Sequence, residues 1–288
     1  MSMSATSPAT TTLNDDECLF RTCASDAYQS VVAAALAERE GFSRVFVINR
    51  DDPYGNGLRE AFAEAFADDS HFVEYSVYSE SDADYADTTI ADAMASFAAS
   101  GGPEAIFLIA FVDDGAAILK KAIGENLDVK WMFPDGPKAD DLLVKVGNNA
   151  YLEGCIGTSP AAPIGAEYVL FRDAFKAEFS RDPEIFTSNV YDAIYLIAVA
   201  MELSLDPDSG EEIRDNLSKT HAGNPVQPGQ WDIFLTEAIS GQADYAGASG
   251  PVDFDQNGDV LSNFEEWSIE SGEIVTKNCW TSEVTPCE

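Results

Sequence analysis

Residues 105–111 read Ala-Ile-Phe-Leu-Ile-Ala-Phe, an unbroken apolar run. It is far shorter than the ~20 residues a membrane helix needs. It shows no polar alternation either, so it suits a β-strand covered on both faces, as in a parallel sheet. Residues 44–49, Arg-Val-Phe-Val-Ile-Asn, read the same way. Working outward, helices and strands alternate. A helix of small apolar residues is expected at 31–39. An amphipathic helix at 57–67 carries Leu58, Phe62 and Phe66. A strand at 73–78 precedes a helix at 85–99 with Ile90, Met94 and Phe97 on one stripe. A helix at 115–123, a strand at 130–133 stopped by Pro134, a helix at 139–146 and a strand at 152–157 complete the series. Such alternation indicates βαβ units and a parallel sheet. Ligands of open α/β sheets bind at the carboxyl ends of the strands. That rule selects the loops at 51–54, 111–114 and 134–137.

After residue 160 the rhythm changes. Helices are expected at 165–179, 190–204, 211–218 and 232–239, with Arg181-Asp182-Pro183 breaking the first two and a Gly/Pro-bearing loop at 223–230. Strands are expected at 250–254, 264–270 and 273–277. No parallel strand is expected between 160 and 245, so the helical layer there calls for a sheet from elsewhere.

The 288 residues suit two domains or one large α/β body. Asp and Glu number 51 against 16 Lys and Arg, a formal net charge of −35. A surface of that sign excludes nucleic acid as a partner and disfavours anionic lipid. Self-repulsion on that scale is best tolerated in a salty or extracellular medium. No segment is long and apolar enough to span a membrane. Residues 1–16 are Ser/Thr-rich, without the basic and apolar regions of a signal peptide.

Catalytic signatures are missing. The histidines, His71 and His221, lie in no motif, and Gly247-Ala248-Ser249-Gly250 lacks the spacing of a nucleophile elbow. There is neither a GxxxxGK[ST] nor a GxGxxG phosphate loop, so neither enzyme nor cofactor is expected. Asp253, Asp255, Asn257 and Asp259 match the first half of a calcium loop. The twelfth position is Phe264 and the flanks read as strands, so a β-turn with Asn257-Gly258 at its tip is preferred and no metal is expected. Cys18 and Cys23 are near in sequence, as are Cys279 and Cys287. Two local disulfides with Cys155 left over, or five reduced cysteines, are the open alternatives. Neither pair has zinc-ligand spacing.

An ordered set of motifs runs through the chain: Ser4-Ala5-Thr6-Ser7-Pro8, Phe20-Arg21-Thr22 with Ser25-Asp26-Ala27-Tyr28-Gln29, Asp52-Pro53-Tyr54-Gly55-Asn56-Gly57, Pro134-Asp135-Gly136, Tyr191-Asp192-Ala193, Gly250-Pro251-Val252-Asp253-Phe254-Asp255 and Gly258-Asp259. Together they resemble the type I periplasmic solute-binding proteins, in the branch similar to the leucine/isoleucine/valine-binding proteins of ABC importers. The resemblance implies a two-lobed α/β fold with Rossmann-like lobes, parallel sheets and three hinge crossings, closing on a ligand. Residues 1–25 would be a remnant of lobe one with the first crossing, 26–158 a complete lobe two, and 159–248 the helical half of lobe one. Residues 249–288 would carry the third crossing, near 249–255, and strands returning to lobe two. The first half of lobe one would be missing, so the chain is expected to be N-terminally truncated, with any export signal upstream.

The same resemblance implies the site. Thr6 would hold a ligand carboxylate through its hydroxyl and amide, and the Ser4 carbonyl would take the ammonium; otherwise both belong to a capped polar turn. Tyr54 would line the cleft in lobe two, or pack on its own turn. Asp135 would pair with the ligand's α-ammonium, or stand as a solvated loop acid. Phe111 would wall the side-chain pocket, or end a strand in the core. The implied function is non-catalytic capture of a small amino-acid-like ligand in the periplasm or at the cell surface, for delivery to ABC permease subunits. Alternatives are an extracellular sensing domain of the same fold and a non-functional fragment.

Overall fold

The computed structural model describes residues 1–99 and 102–287; Ser100, Gly101 and Glu288 lie outside the described residues. A 3-10 turn at Pro8–Thr12 comes first, followed by α1 (Asp26–Arg39), β1 (Arg44–Arg50), α2 (Pro53–Phe66) and β2 (Phe72–Tyr78). Next are α3 (Tyr85–Ala98), β3 (Ala105–Ile109), α4 (Val112–Gly124), β4 (Lys130–Phe133), α5 (Asp140–Val146), α6 (Asn149–Leu152) and β5 (Ile156–Pro160). Then come α7 (Ala166–Phe179), α8 (Thr187–Glu202), α9 (Gly210–Leu217), β6 (Asn224–Val226), α10 (Trp231–Ile239), β7 (Ala243–Gly247), β8 (Gly250–Pro251), β9 (Phe264–Glu270) and β10 (Glu273–Trp280).

Two compact units share the chain. Unit 1 comprises Met1–Ser25 and Pro160–Asn263, and unit 2 comprises Asp26–Ser159 and Phe264–Glu288. The third passage of the chain between units therefore follows Asn263, later than the expected 249–255.

Unit 2 is built on one sheet in the order β10-β9-β5-β4-β3-β1-β2. Strands β2, β1, β3, β4 and β5 run parallel, and β9 and β10 pair antiparallel. All of β3 is buried. Alternate residues serve opposite faces, as the period of two requires. Phe46, Ile48, Ile106 and Leu108 join one core with residues of α3, α4 and α5. Val45, Val47, Phe107 and Ile109 join the other with residues of α1 and α2. Helix α2 follows its sequence closely. The Asp52 side chain caps it by accepting from the Gly55 amide at 2.8 Å, Pro53 opens it, and Leu58, Phe62 and Phe66 form its buried stripe.

Several expectations are corrected. The run at 105–111 stops being a strand after Ile109, and Phe111 caps α4 instead. Asp114 causes this by accepting the Phe111 amide at 2.9 Å and so starting the helix. The strand expected at 152–157 lies later, at Ile156–Pro160, because residues 149–152 form a helical turn. Only Gly250–Pro251 of the strand expected at 250–254 pairs.

The expectation of no parallel strand between 160 and 245 is also overturned. In unit 1, β6 and β7 pair in parallel, with β8 antiparallel on the far side of β7. This small sheet lies under the helices: Val226, Ala243 and Tyr245 share a core with Leu196, Val199 and Phe234. A strand as short as Asn-Pro-Val cannot declare a period, whereas the burial of Ala243, Tyr245 and Gly247 in β7 alternates cleanly.

Neither cysteine alternative holds whole. Cys279 and Cys287 are bonded to each other, while Cys18, Cys23 and Cys155 stand outside that disulfide, with Cys18 exposed and the other two buried. The 255–259 loop is an Asx turn in which Asp255 Oδ1 accepts the amides of Asn257 and Asp259 at 2.7 and 3.0 Å. Both carboxylate oxygens of Asp259 are engaged by Arg21, at 2.6 Å each.

Candidate functional site

The sheet of unit 2 brings three of the expected residues together at the carboxyl ends of β1, β3 and β4. Tyr54 enters from the first turn of α2, which the Asp52 cap orients. Phe111 stands at the N-cap of α4. Asp135 follows β4, two residues after Phe133. The Tyr54 and Phe111 rings stack with centroids 5.2 Å apart and planes 10° from parallel. The Tyr54 hydroxyl donates to Asp135 Oδ1 and accepts from the Gly136 amide, both at 3.2 Å. Gly136 is required here, since a Cβ would lie 2.4 Å from the Ala110 carbonyl and 2.8 Å from the Tyr54 hydroxyl.

Asp135 is buried, whereas Phe111 keeps 45% of its surface exposed. Tyr54 lies between these extremes. Phe111 is thus neither core nor fully solvated: it offers an open apolar wall beside a buried carboxylate. Burial pushes the Asp135 carboxyl above its ordinary value, against the opposing pull of its hydrogen bonds and of Lys138. Burial, then the charges of Asp135 and Asp26, push the Tyr54 phenol well above its ordinary value, so it remains a protonated donor.

Sequence reading missed the support of this cluster. Gln29 on α1 is fully buried, and its amide donates to Asp135 Oδ1 at 3.3 Å and to the Thr158 carbonyl at 3.2 Å. Its own Oε1 is buried and unpartnered. Asp26, also buried, acts on Tyr54 through its charge. Both residues lie in the motif at 25–29, whose only sequence signal is its family resemblance. Arg50 and Asp114, joined at 2.6 Å, carry no local sequence signal because 64 positions separate them.

Ser4 and Thr6 belong to unit 1. Ser4 is exposed and Thr6 buried. The Arg21 guanidinium, itself fully buried, donates to the carbonyls of Ala5, Thr6 and Ser7 at 3.0–3.1 Å. That grip fixes the backbone of the segment. Elsewhere in unit 1, the buried Asp192 accepts from the Tyr245 and Ser249 hydroxyls and from the amides of Ala248 and Ser249. A carboxylate so fully satisfied serves the fold.

A largely parallel sheet covered by helices on both faces matches the architecture of type I periplasmic binding proteins, and this chain has that fold. The chain belongs to the family described as the receptor family ligand binding region, whose family model matches residues 1–271. The leucine-, isoleucine-, valine-, threonine- and alanine-binding protein of Pseudomonas aeruginosa is 27% identical over 230 residues, covering 77% of this chain and 58% of that protein. The chain therefore spans little more than half the length of that curated relative. A leucine binding protein from Thermotoga maritima superposes with a TM-score of 0.71 at 22% identity, over 90% of this chain and 67% of that one. A branched-chain amino acid transporter substrate binding protein from Streptococcus pneumoniae, solved with isoleucine, gives a TM-score of 0.66 at 18% identity, over 91% and 68%.

Proposed function

We propose that this chain is a non-catalytic solute-binding protein that takes a small amino-acid-like ligand and serves the permease subunits of an ABC importer. The observation that carries this reading is the cluster of Tyr54, Phe111 and Asp135: an open aromatic wall beside a buried carboxylate that receives hydrogen bonds from neutral donors. A carboxylate of that kind is complementary to an ammonium group, and a charge-assisted contact there is stronger than a neutral one. Phe111 has no hydroxyl and favours an apolar or small ligand side chain. Thr6 and Ser4, on a segment of unit 1 that Arg21 rigidifies, are proposed in their own right as contacts for a carboxylate and an ammonium. The stated ligands of the relatives, branched-chain amino acids among them, support this class.

The place of action is proposed to be the periplasm or cell surface. The Cys279–Cys287 bond supports an oxidising compartment. A sensing domain of the same fold is the second reading, favoured by the family's description as a receptor ligand-binding region. The test is a thermal melt in high salt against L-amino acids and small organic acids. A true ligand at 1,000 times its Kd stabilises by about 4.1 kcal/mol. A shift confined to amino acids supports the reading. A melt unmoved by the whole panel overturns it.

A further inference from the structure

Arg50 ends β1 with its side chain only 13% exposed. Its Nε donates to Asp52 Oδ2 at 2.7 Å, and its Nη1 donates to Asp114 Oδ2 at 2.6 Å. Each of those acids also caps a helix. Asp52 holds the Gly55 amide at the start of α2, the helix that carries Tyr54. Asp114 holds the amide of Phe111 at the start of α4. The Tyr78 hydroxyl braces Asp114 from the adjacent strand at 2.5 Å. The Arg50 guanidinium carbon also lies 4.5 Å from the centre of the Phe111 ring. One side chain thus ties together the two helix starts that present the aromatic pair, and packs on one of the rings itself.

Resting on the reading of this site as an amino-acid site, we propose that Arg50 is a positioning residue that sets the place of the Phe111 wall and thereby the range of ligand side chains admitted. An aromatic side chain with half its surface in solvent has several rotamers open to it. Phe111 is held to one by the Tyr54 stack, the guanidinium and the Asp114 bond to its own amide. The planar guanidinium can bond two carboxylates along its edge while lying against a ring. A lysine ammonium can keep one ion pair but cannot do all three.

Arg50→Lys and Arg50→Met separate these roles. In the ligand-free protein, amide hydrogen exchange at Phe111 reports the brace directly. Protection there falls at least several-fold in Arg50→Met while the β3 amides keep theirs. Calorimetric titration with L-alanine, L-leucine and L-phenylalanine reports the consequence. The wild-type ratio of affinities among the three is compressed roughly tenfold in both variants, with Arg50→Lys melting close to wild type. A merely structural role would weaken all three ligands by one factor and leave their ratio unchanged, and that result overturns the proposal. Unchanged Phe111 protection in Arg50→Met overturns it as well. If wild type binds none of the three, the amino-acid reading fails, and the exchange measurement alone decides whether Arg50 positions Phe111.

Discussion

Replacing Asp135 by Asn should weaken ligand binding and strengthen the ligand-free fold. The carboxyl is buried, and its contacts at Oδ1 come from neutral donors, the Gln29 amide at 3.3 Å and the Tyr54 hydroxyl at 3.2 Å. Asn retains an acceptor for these but turns an N–H toward the place of the ligand ammonium. The loss is that of a hydrogen bond to a charged group, about 1.5–3 kcal/mol, or roughly 10- to 150-fold in Kd. The stability effect has the opposite sign. The folded carboxyl titrates above its ordinary 3.8, so the fold favours the protonated form. Stability from this group is fully present at acid pH and is lost as pH rises from the unfolded value through the folded one. As pH rises through the raised folded value the wild type must ionise a buried Asp135, whereas the Asn variant carries no charge there at any pH. The ligand-free variant should therefore melt at or above wild type at pH 7, with the gap closing on acidification. Melts at pH 4 and pH 7, with titration of L-leucine, measure both effects. A variant that binds leucine within about threefold of wild type refutes the ammonium role. A variant that melts lower at pH 7 refutes the dominance of burial at this carboxyl.

Gly136→Ala should cost about 1–3 kcal/mol in denaturant titration and disturb the Tyr54 hydroxyl, because its Cβ meets the Ala110 carbonyl and that hydroxyl. Arg21→Met should destabilise by about 3–5 kcal/mol, leaving the buried Asp259 unpaired and three carbonyls without their donor; hydrogen exchange in residues 1–25 should rise first. Under non-reducing conditions Ellman's reagent should modify Cys18 alone, since Cys23 and Cys155 are buried and burial pushes the Cys155 thiol up to about 12. Serine replacement of Cys279 and Cys287, which are eight positions apart, should cost at most about 2.5 kcal/mol by loop-closure entropy, read from the melting midpoint.

The legible parts of the fold were those whose signal is local. The apolar runs at 44–49 and 105–109 announce buried strands by composition alone, and Asp52-Pro53 announces the start of α2. Given these, the strand-end rule reached the loops of Tyr54, Phe111 and Asp135 without any view of their contacts. The boundary after Ile109 is not legible in the run itself, because the deciding contact is a polar bond from the Phe111 amide to Asp114, beyond the apolar residues. The parallel pair β6 and β7 escaped because one partner is three residues long and its pairing is non-local. Gln29 escaped because a glutamine on a helix of small residues looks like surface until the fold buries it.

The alternation of strand and helix, the sign of the charge and the family motifs are written in the chain locally, since each depends on residues close together. The stacking of Tyr54 on Phe111, the burial of Asp135 and the joining of two helix caps by Arg50 arise only once the chain is folded. Those facts depend on register. Parallel pairing of β1 with β3, Val45 beside Ala105, brings to one edge of the sheet loops that are dozens of residues apart. Local propensity cannot encode that alignment, because a one-residue slip would exchange the two faces of a strand without changing its composition.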